Sequence, residues 1–463
     1  MQTCTIQTHL DEDEIVYYNP WQTGYITVQQ IAFGLTCLPC IFIPKENLNH
    51  KIELSASICK KLFLPPETNI HFTQDTNCLY LGPLLGIFTT GFIEEDFDAP
   101  LGERTTFFKN LLQLQKQTYT VAFLFGPQHI HWKNGRIEGY FYEDEKWKKK
   151  QIGFPSIVYD RLPNRKVAQA RPILHIKNKL QKEYGVPFFN PGFFRKTEIF
   201  EMLARNPVTV HYLPETIAQP TFSQVFEFLH THKFAYLKPE DESLGAGILK
   251  CLYHRGTKLY YASFYENGAR IMRSFDRLET LLEATIGHRQ LSDYLIQSGI
   301  QLLQQNGRPF DFRIHTNRDK TGKWQVSALA VKIAAKGAPT THIKYGGEIQ
   351  ILEKLDFPDE KKRKWRDILY TAALQMSEVI EKEQEGFVGE IGFDVGMDQN
   401  EKIWIFEGNA KPGRSIFQHP VLSGIEQENL SYTYLFAHYL MEQTLKHPEM
   451  LWEKTSKEVE ENL

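Results

Sequence analysis

The sequence predicts a mixed α/β and α+β chain of several domains, and three features carry that prediction. The first 85 residues hold short β-like runs separated by Pro, Asn and Gly, a strand–helix–strand pattern begins at Gly86, and two hairpin patterns flank a long amphipathic helix nearer the C-terminus. At 463 residues, a soft prior of roughly 100–200 residues per domain gives two to four domains. With 42% apolar and 24% charged residues, the composition is that of a folded globular chain. The net charge of −3 balances 53 basic against 56 acidic residues, so no overall field favours nucleic acid or an anionic membrane. No apolar stretch approaches the ~20 residues of a membrane span. The opening MQTCTIQTHLDEDE is acidic where a secretory signal needs a basic start, so a cytoplasmic location is expected. Cysteines at 4, 37, 40, 59, 78 and 251 form no disulfide framework, which fits a reducing compartment.

Taken in order, residues 25–28, 38–43 and 79–81 are expected strands of a small barrel or sandwich spanning 1–85. Within it, Cys37-Leu38-Pro39-Cys40 lacks a second ligand pair for zinc and a following helix for redox work, and it is read as buried or incidental cysteine. Residues 86–175 read as a small α/β domain with a parallel sheet: a strand ending at 86–91, a helix at 105–118 and an apolar strand at 119–125. The charged run 143–150 is expected to be a solvated loop or helix face. Residues 157–165 form a strand ending in Asp160, Arg161, Asn164 and Arg165, either a ligand-facing sheet edge or a surface turn.

Helices are expected around 173–184, 196–204 and 222–232, the last with Phe222, Val225, Phe226 and Leu229 as a core stripe. Strand 234–239 carries Lys238 and runs into a loop with Ser243, Gly245 and Gly247. A fixed charge followed by small residues is one way to hold phosphates, although the order matches neither the Walker nor the Rossmann pattern. Residues 289–303 read as a helix leading into a strand edge at 294–297. Asp311 and Arg313 point the same way on the next strand, so Arg313 either meets phosphate or pairs with Asp311. A turn at 320–323 leads to strand 324–334, which carries Lys332. Residues 360–385 are expected to form a helix, with Trp365, Leu369, Ala372, Met376 and Ile380 on one stripe.

Residues 388–397 and 402–409 form a hairpin. Symmetric closure sets Asp394 opposite Ile405, on one face with Glu407 and Asn409. Oxygen ligands gathered on a rigid hairpin suit Mg²⁺, although the same residues also describe a solvated hairpin face. Residues 425–463 are expected to be a helical tail.

GRPFDFRI, TTHIKYGGE, GFDVGMD and FEGNAKPGR, preceded by LYLGPLLGIFTTGF and YDRLPNR, together resemble the YheC/YheD-like, endospore-coat-associated ATP-grasp family. The resemblance implies a pre-ATP-grasp domain at 86–175, an ATP-grasp fold of two α+β subdomains clasping nucleotide at 176–424, and use of ATP with Mg²⁺. By position it implies phosphate contacts from Lys196 and Lys238, a lid loop containing Ser243, Gly245 and Gly247, and an adenine-side hinge at 295–299 that includes Gln297. It further implies catalytic roles for Arg313 and Lys332 facing phosphate, and Mg²⁺ ligation by Asp394, Glu407 and Asn409. The implied function is a sporulation-associated carboxylate–amine ligase acting through an acyl phosphate on unidentified acid and amine substrates, of the amino-acid or peptide kind. The alternative is a spore-coat structural protein with a catalytically weak or inactive nucleotide-binding shell and coat-protein partners. Departures from the family pattern at Glu242, Lys332 and His342 motivate that alternative, and Gly408 departs from the pattern between two of the implied metal ligands. Asp160, Arg161, Asn164, Arg165, Lys344, Lys411 and Arg414 are candidates for recognising substrate carboxylates or are ordinary surface charges.

Overall fold

The computed structural model describes residues 2–10, 13–24, 26–240, 247–266, 269–338, 340–341 and 343–453. Ser243, Gly245, Glu242 and His342 lie outside them, as does the side chain of Lys344. Four sheets organise the chain. The first has eight strands between Gln2 and Leu81 and is mixed, with Gln2–His9 parallel to Lys51–Ser55 and antiparallel to Asn69–Gln74. One continuous sheet thus replaces the expected barrel or sandwich, and its nearest strand to 25–28 is Gln30–Phe33. Cys37 and Cys40 are free; Cys37 is exposed on strand Thr36–Pro39 and Cys40 is buried just after it.

The second sheet is built on three parallel strands, Val121–Phe125, Leu84–Phe88 and Ile157–Asp160, as the strand–helix–strand pattern requires. The charged run 143–150 is neither loop nor helix face. Strand Arg136–Glu143 pairs along its length with Lys146–Gly153, and Asp144 and Glu145 make the turn with φ of 50° and 60°. Alternation along that strand buries Trp147 and sets Lys146, Lys148 and Lys150 on the other face, while Lys149, on the Trp147 face, pairs with Glu94 and sits over the Tyr140 ring, a period that the density of charge conceals.

The third sheet, antiparallel, runs Thr216–Ala218, Tyr294–Ser298, Ala235–Pro239, Leu249–His254, Leu259–Glu266 and Ala269–Phe275. Its helix Phe222–Thr231 buries Val225, Phe228 and Leu229, whereas Phe222 and Phe226, expected in the core, are exposed. The helix expected at 289–303 is only a 3-10 turn, Leu291–Asp293; the α-helix lies earlier, at Leu278–Ile286.

The fourth sheet orders Glu348–Gln350, Trp324–Ile333, Arg308–Arg318, Glu390–Met397 and Ile403–Asn409. The long helix Asp359–Glu383 covers one face of it: Trp365, Leu369, Ala372, Met376 and Ile380 pack with Phe310, Phe312, Ile314, Phe393, Val395 and Ile405. The opposite face carries the polar residues. Residues 425–446 do not trail as a tail. Helix Glu426–Lys446 packs Tyr434, Phe436, Ala437 and Leu440 against Leu85, Phe108 and Tyr159 of the second sheet's layer. No helix among the described residues is long and apolar enough to cross a membrane.

Candidate functional site

A cleft of about 340 Å³ lies between the third and fourth sheets. The third sheet contributes Tyr236, Lys238, Lys250 and Gln297, and the fourth contributes Asp311, Lys332, Asp394, Phe406 and Glu407. Lys196 joins them from the first turn of helix Lys196–Arg205. Strand alternation aims these groups at the cleft. Leu237 is buried in the third sheet's core while Tyr236 and Lys238 point away from it, just as Phe310 and Phe312 point to the long helix while Asp311 does not. Phe234, Ile248, Ile300 and Leu302 add apolar lining.

Lys238 is held in place: its ammonium donates to Gln297 Oε1 at 2.5 Å, and Gln297 Nε2 donates to Thr216 Oγ1 at 3.1 Å. Burial pulls its pKa down to about 8, against the attraction of Glu407, Asp394 and Asp311. Lys196 donates to the carbonyls of Pro239 and Glu240, both at 3.1 Å, which ties the end of the Lys238 strand to the neighbouring helix. Gly247 has φ of 68°, and a Cβ there would stand 2.9 Å from Pro239 Cγ, so this position requires glycine.

On the fourth sheet Lys332 donates to Asp394 Oδ1 at 2.6 Å and stands 3.3 Å from Asp311 Oδ1. Burial alone would lower the Lys332 pKa; the two carboxylates outweigh it and the pKa is raised. Burial raises the pKa of Asp311, which also accepts a hydrogen bond from Thr341 Oγ1 at 2.5 Å. Arg313 pairs with Asp394 at 3.4 Å rather than with Asp311, and it stands behind the cleft lining.

The hairpin register differs from symmetric closure. Val395 pairs with Ile405 but Asp394 pairs with Glu407, leaving Phe406 as the extra residue of a β-bulge. Ile403 and Ile405 therefore enter the apolar core, and the bulge rotates Glu407 onto the cleft side beside Asp394. Without it, the alternation that buries Ile405 would bury Glu407 as well. Asn409, opposite Gly392, is not among the cleft-lining residues.

The site offers oxygen donors from Asp394 and Glu407 as cross-strand neighbours, with Asn409 two residues on. That set fits Mg²⁺, which takes one or two carboxylates together with water and phosphates. Among the described residues no group of three or more His, Cys, Asp or Glu is placed to hold a metal by itself.

Of the candidate substrate residues, Asp160 is fully buried between Lys177 at 2.8 Å and Lys411 at 2.6 Å, an internal ion-pair set. Asn164 caps a short helix, and Arg165 donates to the Phe194 carbonyl. Arg161 crosses to the fourth sheet and donates to Glu390 Oε1 at 3.1 Å, and Arg414 donates to Asn429. Sequence reasoning passed over Tyr236, Phe406, Thr341 and His315. Extending the Asp311, Arg313 alternation by one step would have reached His315.

A family model described as YheC/D-like ATP-grasp matches residues 185–440. The chain is 36% identical over 431 residues to endospore coat-associated protein YheD of Bacillus subtilis (strain 168), covering 91% of this chain and 92% of that one. It is 23% identical over 342 residues to endospore coat-associated protein YheC of the same organism, covering 71% and 89%. Among solved structures, D-alanine–D-alanine ligase from Bacillus anthracis complexed with ATP matches at 11% identity and a TM-score of 0.45, over 79% of this chain and 100% of that one.

Proposed function

Since the chain belongs to the YheC/D-like ATP-grasp family, we propose that it is an ATP-dependent carboxylate–amine ligase. The observation that carries this reading is the cleft between two sheets that gathers Lys196 and Lys238 from one side with Lys332, Asp394 and Glu407 from the other. In this proposal Lys196 and Lys238 bind phosphate oxygens, Ser243, Gly245 and Gly247 belong to the loop over them, and residues 295–299, Gln297 among them, border the base. Asp394 and Glu407, with Asn409, would hold Mg²⁺, which supplies neutralisation of phosphate charge when bound with the nucleotide. Lys332 meets the charge that spreads over the transferred phosphoryl group and is pre-positioned by Asp311 and Asp394, so it needs little reorganisation; Arg313, outside the cleft lining, acts on that charge through its pair with Asp394.

An oxygen of the substrate carboxylate would attack the γ-phosphorus and release ADP. The amine nitrogen would then attack the acyl carbon, the C–O bond to phosphate would break, and the ammonium proton would pass to solvent. No protein nucleophile is required. The relatives' names place them with the endospore coat, and we extend a sporulation setting to this chain on that basis. The test is thermal unfolding of the full chain with Mg·ATP, followed by phosphate release with panels of acids and amines. Protection together with release that needs both an acid and an amine is expected; absence of protection would overturn the reading. The engagement of Asp394 by both Lys332 and Arg313 favours a second reading, a coat-associated nucleotide-binding protein without turnover, which predicts protection without release.

A further inference from the structure

The polar face of the fourth sheet continues past the cleft. Along strand Arg308–Arg318, Asp311 lies against Lys332, Arg313 against Asp394 and His315 against Gly392. Gly392 has no side chain, and a Cβ there would stand 2.5 Å from Pro412. Its absence lets the segment after Asn409 close onto the sheet. That segment brings Phe417 and Arg414 over His315: the Phe417 ring meets the His315 ring edge-on at 5.5 Å, and the Arg414 guanidinium stacks 4.3 Å above Phe417.

Three side chains here carry buried nitrogens that find no hydrogen-bond partner among the described residues. They are Nε and Nη2 of Arg414, Nη1 of Arg313 and both ring nitrogens of His315, which is 1% exposed. Arg313 Nη1 and Arg414 Nε have carboxylates within 3.4 Å and 3.6 Å, Asp394 and Glu426 respectively, but without hydrogen-bond geometry. The nearby Glu390 is already taken by Arg161 and Tyr159. A buried donor left unpaired is costly, more so when charged, so folded chains seldom gather several at one spot without a ligand to accept from them. Burial holds the His315 imidazole neutral, with Arg414 and Arg313 adding to that effect, so it offers one N–H donor beside two guanidinium groups. A planar anion that accepts several N–H bonds at once matches this set, and a carboxylate is that anion.

Distance along the strand adds a second constraint. Arg313 lies two residues beyond Asp311, the cross-strand partner of Lys332, about 7 Å at roughly 3.4 Å per residue, and His315 lies two residues, and two cross-strand pairs, further from the Lys332 end. We propose that Arg414, His315 and Arg313 form a subsite for a second, non-reacting carboxylate, so that the acid substrate is a short dicarboxylic acid whose other carboxylate reaches the Lys332 end. The substrate class rests on the ligase reading; the anion subsite does not.

The experiment uses the full chain with succinate, glutarate and adipate as probes, butyrate as the monocarboxylate control and inorganic phosphate as the alternative anion. Each is followed by thermal unfolding and titration calorimetry with and without Mg·ADP. At least one dicarboxylate should bind and raise the melting temperature, while butyrate does not. Arg414→Gln should weaken that binding roughly tenfold or more, as expected for loss of a charged hydrogen-bond partner. Arg414→Lys, which keeps the charge and loses the fork, should also weaken it. Both variants should retain protection by Mg·ATP.

Equal binding of butyrate, or preferential binding of phosphate, overturns the dicarboxylate assignment. No anion binding in either condition overturns the subsite while leaving the nucleotide reading standing. Dicarboxylate binding in a chain that ignores Mg·ATP supports the subsite and sinks the ligase reading. If Arg414→Gln does not fold, Arg414→Lys and the probe comparison on the unaltered chain decide the question.

Discussion

Lys332 donates a 2.6 Å hydrogen bond to Asp394 across the intervening strand, on the same face of the fourth sheet, and stands 3.3 Å from Asp311. One ammonium thus serves two buried carboxylates. Lys332→Met removes the charge that faces both, leaving Asp394 with Arg313 at 3.4 Å, and is expected to destabilise the fold by about 3–5 kcal/mol, the range for breaking a buried pair. Because Asp394 is then released from its partner, millimolar Mg²⁺ should restore more stability to the variant than it adds to the unaltered protein. Urea unfolding with and without Mg²⁺ checks both; equal Mg²⁺ effects would argue against Asp394 as a ligand.

Glu407→Gln separates folding from nucleotide binding. Glu407 lines the cleft and is only partly buried, so the substitution should change stability by no more than about 0.5 kcal/mol. Protection by Mg·ATP should nevertheless be lost. Thermal shift with and without Mg·ATP reads both effects, and unchanged protection would remove Glu407 from the site.

The Lys238 ammonium gives the site a pH signature. Its pKa of about 8 in the folded chain lies below the ordinary lysine value. Between the two, the unfolded chain binds more protons than the folded one, so this group's contribution to stability rises with pH through that window. A bound triphosphate would pull the proton back. Nucleotide binding at pH 8–9 should therefore take up protons, and affinity should fall as pH rises. Calorimetry in buffers of different ionisation enthalpy measures the uptake, which Lys238→Met should abolish. Lys411, also lowered to about 8 by burial beside Asp160, adds to the stability trend but not to uptake on binding.

Period alone exposed the core-forming elements. Trp365 to Ile380 repeat at helical spacing, and Phe310, Phe312 and Ile314 alternate, so the long helix and its strand were legible. Asp394 and Glu407 were legible as oxygen donors, but their register was not, since a bulge at Phe406 leaves no compositional trace. Arg161 and Arg414 were legible as cations only. That one pairs with Glu390 while the other stacks on Phe417 depends on contacts more than 200 residues apart for the first and on the close approach allowed by Gly392 for the second. The helix expected at 289–303 failed because the Leu291 and Tyr294–Ile296 side chains serve a strand and its entry turn, where apolar runs carry no unique period.

Asp160 tests whether a polar strand end is a ligand site or a structural joint. Its carboxylate, fully buried, accepts from Lys177 and Lys411. Asp160→Asn keeps the shape, removes the charge that both ammonium groups face, and should destabilise by about 3–5 kcal/mol. Any carboxylate or nucleotide affinity should be unchanged once the variant is kept folded at lower temperature. Chemical denaturation and ligand titration at one temperature distinguish the two roles; a loss of affinity without loss of stability would make Asp160 a ligand residue.

Gly408 lies between Glu407 and Asn409, two of the three proposed metal ligands, where extra strand freedom would loosen their geometry. A Cβ there would meet Ile199 Cγ2 at 3.5 Å and Phe393 Cε1 at 3.7 Å, ordinary contacts, and the position has no positive φ. Glycine is therefore not required by space or by backbone. Gly408→Ala should be neutral or stabilise the chain by about 0.4–1 kcal/mol through the unfolded state. If Glu407 and Asn409 act together on Mg²⁺, the stiffer strand should also bind Mg·ATP at least as tightly. Weaker binding with intact stability would mean that the hairpin must flex at Gly408 for the site to form.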